Sequence, residues 1–213
     1  SLGWDGPVAA LSKTRVNVAD HFKETVAVVT NPAIDREREL AQFSTTMYLG
    51  ARPNVSGSHR PEDILTIQTP LLLGGHADLG TEEDLRAVAD KHGTRLIEDV
   101  IAYFGDRAVI LPMTGTLGSS MQDALERLQN RAVHATLEGA RLIVLDDSEA
   151  LDGQQFWIDP LLAVAAVDRA LRQHERVPNL RRQVGLVLRS GAIRDLHDVV
   201  LSLGLGANAL VPY

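Results

Sequence analysis

Leu142-Ile143-Val144-Leu145, followed at once by Asp146-Asp147-Ser148, is the stretch that decides the fold. Four apolar residues in a row, too few for a helix and closed by turn formers, read as a strand buried on both faces. Ahead of it, Met121 to Leu137 sets Leu125, Leu128, Val133 and Leu137 at spacings of three to five. That is the stripe of an amphipathic helix, and Gly139 is placed to end it. Behind it, Pro160 suits the first residue of a second helix, in which Leu161 to Val167 is apolar all round and so reads as sandwiched. Val184 to Leu188 is another buried strand, Ile193 to Leu203 a third helix, and Ala207 to Val211 a third strand reached through Gly204 and Gly206. Helix and strand alternate three times, which predicts the α/β class: a parallel sheet with flanking helices and right-handed crossovers.

Toward the N-terminus the pattern thins. A helix is predicted over Val18 to Val29, stopped by Asn31-Pro32, and another over Glu82 to Lys91, opened by Thr81 and Asp84 as a capping pair. Ile64 to Gln68 and Arg95 to Ile101 read as strands. Ala51-Arg52-Pro53-Asn54-Val55-Ser56-Gly57-Ser58 is rich in turn formers. Residues 51–60 are therefore the candidate subdomain break in what otherwise reads as a single domain over 1–213, without a fixed-period repeat.

Composition narrows the function. At 213 residues, 45% hydrophobic and 23% charged, the chain is long and apolar enough to fold around its own core. The net charge is −7 and no dense run of Lys and Arg is present, which disfavours nucleic acid as a partner. Without cysteine the chain itself holds no disulfide, thiolate nucleophile or iron–sulfur cluster, and a cytoplasmic address fits. Apolar runs such as Leu161 to Val167 fall far short of the ~18 residues of a membrane span, and Ser1-Leu2-Gly3-Trp4-Asp5 lacks the features of an export signal. There is no initiator Met, and the sequence stops at Pro212-Tyr213 directly after a strand, so it reads as part of something longer.

Residues able to carry chemistry are sparse. The seven histidines, His21, His59, His76, His92, His134, His174 and His197, form no H-x-x-x-H or H-E-x-x-H pair, so no metal site is expected. Asp195 and His197, two apart on a predicted helix, point to different sides, while Arg194 and Asp198 read as an i, i+4 surface pair. Asp146-Asp147 stands at the carboxyl end of a strand, where α/β folds place catalytic groups, and is read either as an acid–base pair or as an ordinary Asx turn. Gly115-Thr116-Leu117-Gly118-Ser119-Ser120 runs into a helix and is read either as an anion cradle or, with no Lys-Ser/Thr after it, as a simple N-capping loop.

Ser190-Gly191-Ala192-Ile193-Arg194-Asp195 after a strand, leading to Gly204-Leu205-Gly206-Ala207, resembles the last two units of flavin-binding (β/α) barrels. Only three units are legible and Ser-Gly stands in place of Gly-Gly, so the fold resembles a degenerate or incomplete barrel that binds no flavin. The second resemblance is more specific. Ser1-Leu2-Gly3 through Pro7-Val8-Ala9-Ala10-Leu11-Ser12, then His21-Phe22-Lys23, opens it. Val29-Thr30-Asn31-Pro32-Ala33-Ile34-Asp35 with Arg38-Glu39 is close to V-T-N-P-P-I-D-x-x-R-E, Ala33 replacing the second proline. Ser190-Gly191, Arg194, His197, Gly204, Gly206-Ala207, Ala209 and Pro212-Tyr213 are similar to S-G-x-x-R-x-x-H and G-x-G-A-x-A-x-x-P-Y. Together these resemble the central domain of glutamate synthase, a multidomain oxidoreductase of glutamate biosynthesis and ammonia assimilation.

That resemblance implies a connecting domain without a cofactor or active site of its own. It would join a glutaminase (amidotransferase) domain to a synthase domain that carries FMN and an iron–sulfur cluster. It further implies an ammonia channel whose lining includes Thr30, Asn31 and Ile34, on a loop stiffened by Pro32 and continued through Asp35 and Arg38. Two other classes stay open. One is a small flavin- or phosphate-binding barrel enzyme, seating a phosphate on Ser190-Gly191 and Gly206-Ala207 with Asp146 or Asp147 as acid–base group. The other is a free-standing binding module.

Overall fold

The computed structural model describes residues 17–22, 36–38, 43–52, 60–74, 81–153 and 155–213. In chain order its elements are β1 (Met47–Gly50), β2 (Ile64–Ile67), α1 (Glu82–His92), α2 (Ile97–Phe104), β3 (Ala108–Pro112), β4 (Thr114–Thr116) and α3 (Met121–Leu137). There follow β5 (Leu142–Asp146), β6 (Gln155–Trp157), α4 (Pro160–Arg172), β7 (Gly185–Ser190), α5 (Leu196–Gly204) and β8 (Ala209–Pro212), with short 3-10 turns between several of them.

The core of the molecule is a parallel sheet in the order β3-β5-β7-β8. Side chains of β5 alternate between two apolar layers, as the pleat requires. Ile143 and Leu145 join Leu186, Leu188 and Leu210 beneath helices α3 and α4, whose Leu128, Ala132, Val164 and Val167 complete that layer. Leu142 and Val144 join Val187, Ala209 and Val211 on the other face, against Leu49 and Ile67 of the β1–β2 hairpin and Val100 and Phe104 of α2. Covering on both faces is why these strands read as unbroken apolar runs instead of alternating ones.

Single parallel bridges extend the order past β8. Leu71 pairs with Leu210, and Leu73 with Leu96. The helices that cross between β3, β5, β7 and β8 all pack into one layer, as in a singly wound barrel, but among the described residues no strand pairing closes the ring between Leu96 and β3. The architecture is an incomplete (β/α) barrel whose would-be interior is filled by the hairpin and α2. No helix among the described residues is long and apolar enough to cross a membrane.

Local chemistry sets the boundaries. Thr81 accepts the Asp84 amide at 3.2 Å and Ser120 the Asp123 amide at 3.0 Å, two capping boxes that start α1 and α3 at the expected residues. Pro160 opens α4 as expected and Asp159 caps it, although exposed Leu162 marks an outer strip, so that helix is not covered all round.

Three expectations are corrected and one strand is added. Arg95 to Ile101 is not a strand: only Leu96 bridges, and α2 follows because Ile97, Val100 and Phe104 bury one helical face. The predicted helix from Val18 is a 3-10 turn ending at extended Phe22, while residues 23–29 lie outside the described region. The third helix starts at Leu196 instead of Ile193, because Asp195 is its N-cap and so lies outside it. Finally, Ala108–Pro112 is a full edge strand, and Pro112 is tolerated as its last residue, where a missing donor matters least.

Candidate functional site at the carboxyl rim

The register of the sheet decides what meets at its carboxyl edge. Asp146 pairs with Arg189, and Ser190 pairs with Pro212, so Asp147, Ser190 and Tyr213 emerge side by side although far apart in sequence. Asp146 takes the Ser148 amide at 2.8 Å, an Asx turn, and the Arg189 guanidinium at 3.1 Å. Asp147 is 4% exposed. Its carboxylate accepts from Ser190 Oγ at 2.5 Å, Trp157 Nε1 at 3.1 Å and the Gly191 amide at 3.3 Å, and also from the Tyr213 hydroxyl. Burial, reinforced by that bond to Asp147, raises the Tyr213 phenol well above its ordinary pKa. Arg189 lies over the Tyr213 ring, 5.8 Å from its centroid.

An acid–base residue needs a lone pair or a proton within reach of a substrate. Asp147 instead gives both oxygens to four donors from three separate stretches, Trp157, Ser190-Gly191 and Tyr213. Asp146 is likewise held by Arg189 and the Ser148 amide. Of the two readings of this pair the geometry favours the turn, extended into a knot that ties the strand ends together. Two clefts lined by described residues lie elsewhere: one of about 340 Å³ lined by Gln68, Arg86 and Asp99, and one of about 700 Å³ beside β3 and α3, lined by Arg107, Val109, Arg131 and Glu138.

The Gly115 loop is spoken for as well. β4 pairs antiparallel with β6, and a Cβ on Gly115 would lie 2.0 Å from the Phe156 ring, so the glycine admits an aromatic ring there. Ser119 and Ser120 turn their hydroxyls to the Thr116 carbonyl and the Asp123 amide, the N-capping alternative.

The remaining motif residues divide between two places. Gly206, at φ +125°, sits ahead of β8 at the amino rim, where an added Cβ would stand 2.5 Å from the Asp168 carboxyl. Gly206-Ala207 and Ser190-Gly191 are thus at opposite ends of the strands and cannot seat one phosphate. At this amino rim Arg181, 3% exposed, donates to Asp168 at 2.7 Å, to the carbonyls of Val184 at 2.7 Å and Gly206 at 2.6 Å, and to Asn208 at 2.8 Å. Arg172 also binds Asp168. Arg194 and His197 stand instead at α5, facing residues 17–22. The expected Arg194–Asp198 pair forms, but Asp198 is buried, so it is no mere surface pair.

Thr30, Asn31, Pro32, Ile34, Asp35 and Glu39 lie outside the described residues, and Arg38 belongs to a helical turn over 36–38. Among the described residues no group of three or more His, Asp or Glu is gathered where a metal could bind. Sequence reasoning missed Trp157 as a ligand of Asp147 and the whole Arg181 cluster. Their partners are set by strand register, and the only local signals are a Trp beside a turn and an Arg entering a buried strand.

The family profile described as the glutamate synthase central domain matches residues 1–213. A ferredoxin-dependent glutamate synthase of Cyanidium caldarium is 32% identical over all of this chain and 13% of its own length. The NADPH glutamate synthase large chain of Bacillus subtilis is 28% identical over 12% of its length, and the NADH glutamate synthase of Saccharomyces cerevisiae 25% identical over 9%. The chain therefore spans about a tenth of the length of these curated relatives. With all 213 residues of the chain covered by that profile, the chain belongs to the glutamate synthase central domain family.

Proposed function

We propose that this domain is a connector inside a glutamate synthase, holding a glutaminase domain and an FMN-binding synthase domain in register and lining part of the ammonia path between them with Thr30, Asn31 and Ile34. The observation that carries this reading is the state of Asp146 and Asp147, buried acids at the rim where a barrel enzyme would do its chemistry: Asp147 is bonded on both oxygens by the scaffold itself, and Asp146 is held by Arg189 and the Ser148 amide. Proteins that match along the whole chain but are about eight times as long support it too. On this reading FMN and the iron–sulfur cluster reside in the neighbouring synthase domain, none in this segment, and the address is cytoplasmic.

The test uses the full-length enzyme containing this domain. Ile34→Trp, which narrows a conduit, is expected to lower glutamate formation from glutamine by about threefold or more and leave formation from free ammonia unchanged, with ammonia escaping to the solvent. Equal loss with both substrates, or no loss with either, overturns the reading. The rival flavin-barrel reading makes its own prediction: the purified 213-residue chain would carry bound flavin and its yellow colour, and a colourless chain that takes up no added FMN removes it.

A further inference from the structure

Residues 17–22 are tied to parts of the chain more than a hundred positions away. The Val18 amide donates to Asp159 Oδ2 at 3.1 Å, while Asp159 Oδ1 caps α4 through the Leu161 amide at 2.9 Å. One carboxylate thus serves a helix and the strap together. The Ala19 carbonyl, which can only accept, lies 2.9 Å from His197 Nε2, so that nitrogen carries the proton. Asp20 Oδ1 meets the Arg194 guanidinium at 3.0 Å, and its Oδ2 closes the turn on the Asn17 amide at 2.9 Å.

These anchors are prepared in advance of the strap. Asp198, buried on α5, holds Arg194 through the backbone amide at 2.9 Å, through Nε at 3.0 Å and through a terminal nitrogen at 3.2 Å. The guanidinium is thereby fixed in orientation, with a donor left for Asp20. Arg194 in turn holds the Asp20 carboxyl below its ordinary pKa, so the pair is ionised at neutral pH. Apolar burial contributes little by contrast: within the strap Ala19 alone is buried, and Phe22 is 40% exposed. Directed polar contacts from α4 and α5 specify where this segment lies, which burial of one methyl group would not.

We infer that Asp159, Arg194 and His197 form a latch that fixes the register of residues 17–22, and that they are positioning residues for delivery of ammonia past Thr30, Asn31 and Ile34. The inference rests on the connector reading above. Thr30 follows Phe22 by eight residues, so covalent geometry keeps it within about 28 Å of the latched segment.

The experiment uses the full-length enzyme and three variants: Asp20→Asn, His197→Leu combined with Asp20→Asn, and His197→Gln. Asp20→Asn removes the strap's charge and leaves Arg194 on Asp198, so the buried pair survives. His197→Gln keeps an N–H donor at similar reach. Rates from glutamine and from free ammonia are measured, with ammonia released per glutamine hydrolysed and the melting temperature. The double variant is expected to lose about threefold or more of the glutamine-dependent rate at an unchanged ammonia-dependent rate, Asp20→Asn less, and His197→Gln to stay near wild type. If Ile34→Trp uncouples the enzyme and the double variant does not, the latch inference fails while the connector reading stands. If neither uncouples it, both fail. If both rates fall together with the melting temperature in the double variant and in Asp20→Asn alike, the contacts are structural only and the inference is overturned.

Discussion

The two rims of the parallel sheet are wired alike, and in a barrel enzyme they would not be. At the amino rim a buried cation, Arg181, sends its donors to Asp168, Asn208 and two carbonyls. At the carboxyl rim a buried anion, Asp147, gathers donors from Trp157, Ser190, Gly191 and Tyr213. Barrel enzymes keep the first kind of construction for stability and leave the second rim open, because substrates enter there. Here the Asp147 cluster at the carboxyl rim is as fully bonded within the scaffold as the Arg181 cluster at its opposite. A barrel-like arrangement of strands and helices is kept, while the property that makes a barrel catalytic, polar groups with valences to spare, is absent from the Asp147 cluster.

Three perturbations separate the rims by size. Asp168→Ala is expected to be the most damaging, because it leaves Arg181 charged in the interior without its counter-ion, at a cost of about 3–5 kcal/mol in chemical denaturation of the 213-residue chain. A cost below about 1 kcal/mol would mean that the carbonyls and Asn208 suffice for the guanidinium, and that the amino rim is less demanding than its geometry implies. Gly206→Ala presses on the same cluster from the backbone side. Its Cβ would intrude on Asp168 from a left-handed conformation, for about 2 kcal/mol, and the effect should shrink in the Asp168→Ala background if the clash is its cause.

At the other rim Tyr213→Phe removes one donor to Asp147, for about 1.5 kcal/mol at neutral pH. The pH dependence identifies the contact. The folded-state pKa of Tyr213 is raised, whereas in the unfolded chain the phenol ionises near pH ~10. Its contribution is present in full below that value and is lost as pH rises above it, since the unfolded state then releases a proton that the folded state retains. The gap between wild type and Tyr213→Phe should therefore close above pH ~10. A gap that stays constant through that range would show that the hydroxyl does not bond to the carboxylate.

How much of this was legible in the sequence depends on the range of the interaction involved. α3 and the start of α4 were readable to the residue because Ser120 and Pro160 act within one turn of their own helix ends. β5, β7 and β8 were readable because double-sided burial leaves unbroken apolar runs. The edge strand β3 escaped notice, being short and ending in proline, and α2 passed for a strand because its eight residues hold too few turns to display a helical period. For the site, Asp147 and Ser190 were each singled out, one as a strand-end acid and one as part of a motif. Their meeting depends on the β5–β7 register, which pairs residues 43 positions apart and leaves no local trace. Arg194 and His197 were recognised as motif residues, but their contacts with Asp20 and Ala19, more than 170 positions away, leave no local trace. Thr30, Asn31 and Ile34 rest on resemblance alone.

The most direct test of the central claim, that the carboxyl rim has given up chemistry for structure, is Asp147→Asn in the full-length enzyme, read by melting temperature and by kcat with glutamine and with free ammonia. The account predicts a lowered melting temperature, with both kcat values within about twofold of wild type for the folded enzyme. An unchanged melting temperature with activity reduced by about a hundredfold or more, the loss typical of a missing general acid or base, would contradict it.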